Sequence, residues 1–115
     1  MIEWFDIYFG RAVAKKTRVA ARLITLKGNV YYGVNIESSC HSLSICAERS
    51  AIVSAVTAEG PDMIISSVDA KALRSGVVFD IVPCGACRQL ISEFSDEYTT
   101  LMNECISYWM PCPYK

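Results

Sequence analysis

The stretches Cys46-Ala47-Glu48-Arg49 and Pro83-Cys84-Gly85-Ala86-Cys87-Arg88 decide how this chain has to fold. Helical spacing follows both, so Cys46 and the Cys84/Cys87 pair each open a predicted helix. The amino termini of helices carry partial positive charge and stabilise thiolates there. Three sulfur ligands converge on one point if the two helices lie side by side. We therefore interpret the rest of the chain as the scaffold that brings the two stretches together.

The three thiols match the ligand set of a zinc ion. Three protein ligands leave the fourth tetrahedral position open, which is how a catalytic zinc site is built. Glu48 stands two positions after Cys46 and can reach water at that open position without binding the metal itself. This arrangement is typical of zinc-dependent nucleobase deaminases, in which zinc-bound hydroxide attacks the ring and a carboxyl group carries the protons.

Other interpretations of the same residues stay open. A C-x-x-C pair taken alone is a redox pair or half of a structural zinc site, for which Cys40 or His41 is the nearest fourth ligand. Glu48 taken alone is a carboxylate favoured by the helix dipole. Because three thiolates overcompensate the charge of zinc, Arg49 and Arg88 are expected to draw charge off the sulfurs through hydrogen bonds.

Length and composition limit the class of protein. The 115 residues predict a single domain over residues 1–115 with a sizeable core. Hydrophobic residues make up 52%, charged residues 20%, and the net charge is -1, which predicts a compact soluble protein without a nucleic-acid partner. The basic cluster of the chain is interpreted as a solvated helix end and consists of Lys15, Lys16, Arg18 and Arg22.

The amino terminus does not resemble a signal peptide, because Glu3 and Asp6 stand where basic residues would be expected. No apolar run approaches the ~18 residues that span a membrane. We expect a cytoplasmic location and no membrane contact. Six cysteines in that setting indicate metal binding or catalysis rather than disulfides. Cys40, Cys105 and Cys112 are expected to be small, buried apolar residues.

Hydrophobic periodicity predicts alternating helices and strands. Helices are predicted over residues 2–15, over residues 46–59 and from residue 84 or just after it. Strands are predicted over residues 18–27, 30–37, 63–72, 77–82 and 98–103, with Gly28-Asn29 as a hairpin turn. Gly33 marks a bulge or a close approach of two backbones. The alternation indicates an α/β sandwich with helices on the faces of a sheet.

Beyond the two cysteine stretches, the chain resembles the small homotetrameric cytidine deaminases over about residues 19 to 95. The likeness starts with Asn35-Ile36-Glu37-Ser38-Ser39-Cys40 and continues in Leu43-Ser44-Ile45-Cys46-Ala47-Glu48-Arg49-Ser50-Ala51-Ile52, which are similar to the N-I-E-N-A and L-T-x-C-A-E-R-T-A-I motifs of that family. Residues 83–89 read P-C-G-A-C-R-Q, which is the family's own motif. The resemblance implies a three-layer α/β/α sandwich with a mixed, roughly five-stranded sheet.

The resemblance also implies roles for particular residues. Cys46, Cys84 and Cys87 would bind Zn2+ and Glu48 would carry protons, while Asn35 and Glu37 would bind the ribose hydroxyls. A buried polar pair that binds a sugar discriminates against a bare base, because its polar groups stay unpaired when the ligand has no sugar. From the residues alone, Asn35 and Glu37 could equally just end a strand. The family further implies a homotetramer with sites completed by neighbouring subunits.

Departures from the family pattern fall where the substrate would lie. Thr17 replaces an aromatic residue that packs against the base, and His41 replaces a tyrosine. The tail Trp109-Met110-Pro111-Cys112-Pro113-Tyr114 stands where family members carry L-L-P-x-x-F, so Tyr114 would have to stack across the subunit interface instead.

The expected activity is that of a zinc hydrolase of pyrimidine salvage, which deaminates cytidine or deoxycytidine to the uridine with release of ammonia. One alternative is a deaminase of another aminopyrimidine nucleoside, such as a blasticidin-type antibiotic. The other is a zinc-stabilised interaction module without catalytic activity.

Overall fold

A computed structural model of the chain describes residues 3–40, 43–81, 85–102 and 104–105. Three helices and six strands occur within these residues. In chain order they are α1 (Trp4–Phe9), β1 (Thr17–Thr25), β2 (Val30–Val34), α2 (Ala47–Glu59), β3 (Ile65–Arg74), β4 (Val77–Asp80), α3 (Gly85–Glu93), β5 (Ser95–Leu101) and β6 (Glu104–Cys105). No helix in this part of the chain combines the length and apolar character that crossing a bilayer requires.

The strands form one mixed sheet. Its order is β2-β1-β3-β5-β6, and β4 pairs with the carboxyl half of β3. Neighbouring strands are antiparallel except β3 and β5, which are parallel. A parallel pair needs a crossover connection, and α3 lies within it. This crossover brings α3 into contact with α2, so the two predicted cysteine helices are neighbours.

One face of the sheet carries the apolar core beneath α2 and α3. Alternate residues of β1 point to this face, so that Ala21 and Leu23 are fully buried. The facing side of α2 consists of small and medium residues, and Ala47, Ala51 and Ala55 are each at most 1% exposed. Short side chains let this helix lie close to the sheet. The core is completed by Ile52, Met63, Ile65, Val68, Ala70, Ala72, Ile91 and Leu101.

The opposite face of the sheet is covered by α1. Tyr8 of this helix stacks on Tyr32 of β2 with ring centroids 4.3 Å apart. The guanidinium carbon of Arg22 lies 4.9 Å from the ring centroid of Trp4, and its Nη2 donates to Asp69 at 3.2 Å. The sheet therefore lies between two helical layers. The predicted three-layer α/β/α sandwich with a mixed sheet is confirmed, although β6 adds a sixth, very short strand.

The predicted hairpin between β1 and β2 is also confirmed. Gly28 adopts φ +86°, the left-handed conformation that glycine tolerates best. The hairpin is joined to the carboxyl end of α2 through Glu59, whose Oε2 accepts hydrogen bonds from three side chains. These donors are Thr25 at 2.8 Å, Asn29 at 2.9 Å and Tyr31 at 3.0 Å.

Three predictions about the amino-terminal half are wrong. The helix predicted over residues 2–15 ends at Phe9, because Gly10 caps it and Val13 instead forms a parallel bridge with Ile36. The basic residues Lys15 and Lys16 are therefore exposed between α1 and β1 and do not form a helix end. Cys40 is exposed rather than buried, since it lies in the loop after β2, where its N–H donates to the Ser38 hydroxyl at 3.1 Å.

Candidate active site

A cavity of ≈ 300 Å³ opens beside the amino terminus of α2. This volume is at the lower end of the range that small-molecule ligands occupy in proteins. Its walls come from the start of β1, the segment after β2, the segment before α2, the first turn of α2 and the residue after β4. The lining residues are Val19, Asn35, Ile36, Glu37, Ser44, Ile45, Cys46, Ala47, Glu48 and Ile81.

A short backbone pairing holds the segment before α2 against the segment after β2. Ile36 and Ile45 form an antiparallel bridge in which each N–H donates to the other's carbonyl, at 3.0 and 2.9 Å. Cys46 follows directly as the amino-terminal cap of α2, and its carbonyl accepts from the Ser50 N–H at 3.1 Å. The predicted start of this helix is confirmed, and both Cys46 and Glu48 line the cavity.

Glu48 is buried at the cavity wall, with 5% of its surface exposed. Burial raises the pKa of its carboxyl group above the ordinary value of 4.5, against the opposing effects of a hydrogen bond to its own backbone and of the charge of Arg49. A carboxyl group in this state holds a proton more readily than an exposed one. It can therefore both accept a proton from a reacting group and return it.

The two cysteine helices are adjacent, and Cys87 in α3 is fully buried. Cys84 and His41, by contrast, lie outside the described residues. Within the described ranges, no three His, Cys, Asp or Glu side chains form a group that could hold a metal ion. Because the predicted set includes Cys84, the three-cysteine zinc site stays a prediction.

The chemistry around Cys46 fits a zinc ion bound by thiolates. Cys46 and Cys87 both lie at amino-terminal ends of helices, where thiolates are favoured. Arg49 donates from Nη2 to the Ser44 carbonyl at 2.9 Å, and its buried Nε makes no hydrogen bond within the described chain. A buried donor without an acceptor suits a neighbouring anionic ligand. The predicted contacts of Arg49 and Arg88 with the sulfurs remain predictions.

Asn35 directly follows β2, and both the oxygen and the nitrogen of its side-chain amide make hydrogen bonds with β1. Oδ1 accepts from the Val19 N–H at 2.8 Å, and Nδ2 donates to the Thr17 carbonyl at 3.0 Å. These bonds fix which way the amide points and leave one N–H and one lone pair unused in the described part of the chain. The Asn35 amide thus holds the end of β2 against β1, which agrees with the strand-end interpretation of this residue. Asn35 also lines the cavity.

Glu37 is exposed at the rim of the cavity. Its Oε2 accepts from the backbone N–H of Lys15 at 3.3 Å, and its own N–H donates to the Val13 carbonyl at 2.7 Å. The segment between α1 and β1 therefore holds Glu37 in place, and the Val13 N–H also donates to the Asn35 carbonyl at 3.1 Å. Sugar binding by this pair stays a prediction.

Sequence patterns missed part of the cavity. Ser44 and the apolar residues Val19, Ile36, Ile45 and Ile81 also line it. The only signal in the sequence was that Ile36, Ser44 and Ile45 stand close to predicted site residues. Thr17, where the family carries an aromatic residue, is not among the described lining residues, and its carbonyl bonds Asn35 instead.

Residues 10–102 match the family model of the cytidine and deoxycytidylate deaminase zinc-binding region. Among curated proteins, the chain is 44% identical over 79 residues to a probable cytidine deaminase of Dictyostelium discoideum, covering 69% of this chain and 51% of that protein. It is 42% identical over 79 residues to the cytidine deaminase of Sporosarcina psychrophila, covering 69% and 54% respectively. The match thus spans about half the length of these curated relatives.

Solved structures of cytidine deaminases share the fold of this chain. The cytidine deaminase of Mycobacterium leprae superposes with a TM-score of 0.80 at 22% identity, over 96% of this chain and 99% of that chain. The cytidine deaminase of Burkholderia pseudomallei superposes with a TM-score of 0.70 at 28% identity, over 92% and 90%. The chain belongs to the cytidine and deoxycytidylate deaminase family and contains its zinc-binding region.

Proposed function

We propose that this chain catalyses the hydrolytic deamination of cytidine or deoxycytidine, giving the corresponding uridine and ammonia. The observation that carries the proposal is the placement of Glu48. A carboxyl group with only 5% of its surface exposed lines a cavity of ≈ 300 Å³, two residues after a cysteine that caps the same helix. Family membership and the names of the relatives support the same reaction.

Cys46, Cys84 and Cys87 are the residues that would hold the zinc ion. Zinc bound there lowers the pKa of a water molecule and so supplies the nucleophile at neutral pH. Arg49 lies in the first turn of α2 after Cys46, where its buried Nε can donate to a ligand sulfur. Such a hydrogen bond would reduce the charge that three thiolates place on the site.

Glu48 would carry the protons of the reaction. Its carboxylate takes a proton from water as the oxygen adds to C4 of the pyrimidine, and passes this proton to ring N3. It then takes up the second water proton and delivers it to the departing amino group, which leaves as ammonia. Burial suits this exchange, because a raised pKa makes the carboxylate a stronger base. The sum is one cytidine and one water converted to one uridine and one ammonia.

Asn35 and Glu37 would bind the sugar. Both line the cavity. Contacts with β1 hold the amide of Asn35, and the backbone N–H of Lys15 donates to the carboxylate of Glu37. Asn35 retains one N–H for a ligand, and the carboxylate of Glu37 accepts hydrogen bonds from hydroxyl groups. A pair of this kind favours a nucleoside over free cytosine, because the base alone leaves both groups without partners.

We also propose that the chain assembles as a homotetramer with sites near the subunit contacts. Two apolar residues that line the cavity, Ile36 and Ile45, are each 41% exposed. Val13 (57%) and Leu43 (65%) are exposed on the neighbouring backbone. The bridges of Ile36 with Val13 and with Ile45 place three of these residues on adjacent backbone segments. An apolar rim of this kind favours contact with another protein surface. The cytoplasmic location and the single-domain organisation stay predictions.

The activity is tested by the change in ultraviolet absorbance when zinc-loaded protein is mixed with cytidine, deoxycytidine or free cytosine. We expect turnover of the nucleosides and at least about tenfold less of cytosine. Glu48→Gln should keep zinc and fold but lose turnover. Exposed Glu93 in α3 gives a matched control, and Glu93→Gln should remain active. A zinc-loaded, folded protein that deaminates none of the three compounds would contradict the proposal.

A further inference from the structure

Ser44 lies at the sugar end of the cavity. It is half-buried and lines the wall one residue before the Ile36–Ile45 bridge. The antiparallel register of that bridge places Ser44 beside Glu37. A contact supports this position, since the N–H of Ser38, the residue after Glu37, donates to the Ser44 Oγ at 3.0 Å. Ser44 therefore stands next to one member of the proposed ribose pair.

Hydrogen bonds fix the position of Ser44, but its hydroxyl proton is not donated to any group in the described part of the chain. The Arg49 guanidinium donates to its carbonyl at 2.9 Å, and Ser38 donates to its hydroxyl oxygen. A hydroxyl group has one proton to donate as well as lone pairs to accept with. No hydrogen bond in the described part of the chain uses this proton. Ser44, one of the residues that line the cavity, thus has an oriented hydroxyl group with a proton available.

Counting the hydrogen-bond donors and acceptors at the proposed sugar site shows which group the Ser44 hydroxyl could bind. The two hydroxyl groups of a ribose each offer one proton and one acceptor oxygen. Glu37 provides acceptors for the protons, but an ionised carboxylate donates nothing. The unused N–H of Asn35 can serve one sugar oxygen, which leaves the other without a donor among Asn35 and Glu37. The Ser44 proton supplies the missing donor.

We infer that Ser44 binds a ribose hydroxyl of the substrate. Asn35, Glu37 and Ser44 together satisfy both hydroxyl groups of a ribose, whereas a deoxynucleoside leaves one of the three unmatched. Unmatched polar groups in a partly closed site lower affinity. The inference rests on the proposed deaminase function and adds a third residue to the proposed sugar site.

The test compares cytidine, 2′-deoxycytidine and 3′-deoxycytidine as substrates of the wild-type protein, Ser44→Ala and Ser44→Thr. We expect Ser44→Ala to lower kcat/KM for cytidine about tenfold, mainly through KM. The same variant should change kcat/KM less than about twofold for the deoxynucleoside that lacks the contacted hydroxyl. Ser44→Thr keeps the hydroxyl and should stay within about threefold of the wild type. An equal loss on all three substrates, or no loss on cytidine, would overturn the inference.

A binding measurement separates this inference from the proposed activity. Calorimetric titration of the three nucleosides into Glu48→Gln and into Glu48→Gln/Ser44→Ala gives affinities that do not depend on turnover. The same substrate pattern in these affinities supports the Ser44 contact even if the chain deaminates none of them. Turnover of cytidine without that pattern overturns the Ser44 contact and leaves the deaminase function standing. Absence of both binding and turnover overturns both.

Ser54 offers the matched control for these measurements. It lies on the exposed side of α2, and its hydroxyl donates to the Ser50 carbonyl at 3.1 Å. Ser54→Ala removes a serine hydroxyl without touching the cavity. It should leave the activity on all three nucleosides and their relative kcat/KM values unchanged.

Discussion

The backbone of Gly33 in β2 lies directly against the carbonyl oxygen of Ala47 in the first turn of α2. A Cβ atom at residue 33 would stand 2.3 Å from that oxygen and 2.4 Å from the Ala51 nitrogen. Both distances are far shorter than a van der Waals contact, and both partners are backbone atoms that cannot rotate away. Gly33 therefore sets how closely the helix that carries Cys46 and Glu48 approaches the sheet.

Gly33→Ala should displace the first turns of α2 and with them the proposed active site. Overpacking of this kind costs about 1–3 kcal/mol of stability. A displacement of about 1 Å can lower kcat about 100-fold, because catalytic groups then miss their positions. Urea unfolding and kcat with cytidine measure the two effects.

Gly10→Ala is the control for this substitution. A Cβ at residue 10 would meet its nearest neighbour, the Ile7 carbonyl oxygen, at 3.6 Å, and Gly10 has φ -66°. Alanine fits there, so stability and activity should stay close to the wild type. If Gly33→Ala behaves like Gly10→Ala, the close approach of β2 and α2 does not position the site.

Cys46→Ser and Cys40→Ser together distinguish an open zinc site from a closed one. Cys46 is a proposed ligand, and its replacement should lower the zinc content well below one ion per chain and remove activity. Cys40 is exposed in the loop after β2 and is a ligand only if the site is closed by a fourth protein sulfur. We expect Cys40→Ser to keep full zinc content by atomic absorption. Loss of zinc from that variant would favour the structural-zinc alternative.

The sequence predicted those elements whose signals are local. The beginnings of α2 and α3 follow from a cysteine stretch and the helical spacing behind it, and the β1–β2 turn follows from Gly28, whose φ is +86°. A glycine inside an apolar strand indicates a bulge or a close approach of two backbones, which predicts the role of Gly33. In each case the deciding residues are neighbours in the chain.

The errors arose where distant segments decide the structure. The helical spacing of residues 2–15 continues past Phe9, but the backbone of Val13 bonds to Asn35 and Glu37, and this pairing ends the helix early. Ser44 lines the cavity only because Ile36 and Ile45 form a bridge. Asn35 both holds the end of β2 against β1 and lines the cavity, and nothing in its immediate sequence separates these roles.

Glu59 should make stability depend on acid pH. Three donors bond its Oε2, and the hydrogen bond from Asn29 contributes most to lowering the pKa of the carboxyl group below 4.5. A lowered pKa in the folded state means that the ionised form is favoured by folding. The stabilisation is therefore present above the ordinary pKa and is lost as pH falls through the folded one.

Glu59→Gln tests this dependence. Urea unfolding should show a larger difference in stability between the wild type and Glu59→Gln at pH 7 than at pH 3. Glu93→Gln, at an exposed residue of α3, removes the same charge and should show no such trend. An equal difference for Glu59→Gln at both pH values would mean that the carboxylate contributes no pH-dependent stability.

Replacing Asn35 should lower the unfolding free energy more than replacing Glu37, although both residues are proposed to bind the sugar. Asn35→Ala removes the acceptor of the buried Val19 N–H and the donor to Thr17, so the unfolding free energy should fall by about 1–3 kcal/mol while KM for cytidine rises. Glu37 is exposed, and Glu37→Gln should change stability by less than about 0.5 kcal/mol while KM rises about tenfold. Urea unfolding and KM with cytidine, measured on both variants, separate the two roles. Equal stability of the two variants would mean that the Asn35 amide does not fasten β2 to β1, and an unchanged KM in both would remove them from the sugar site.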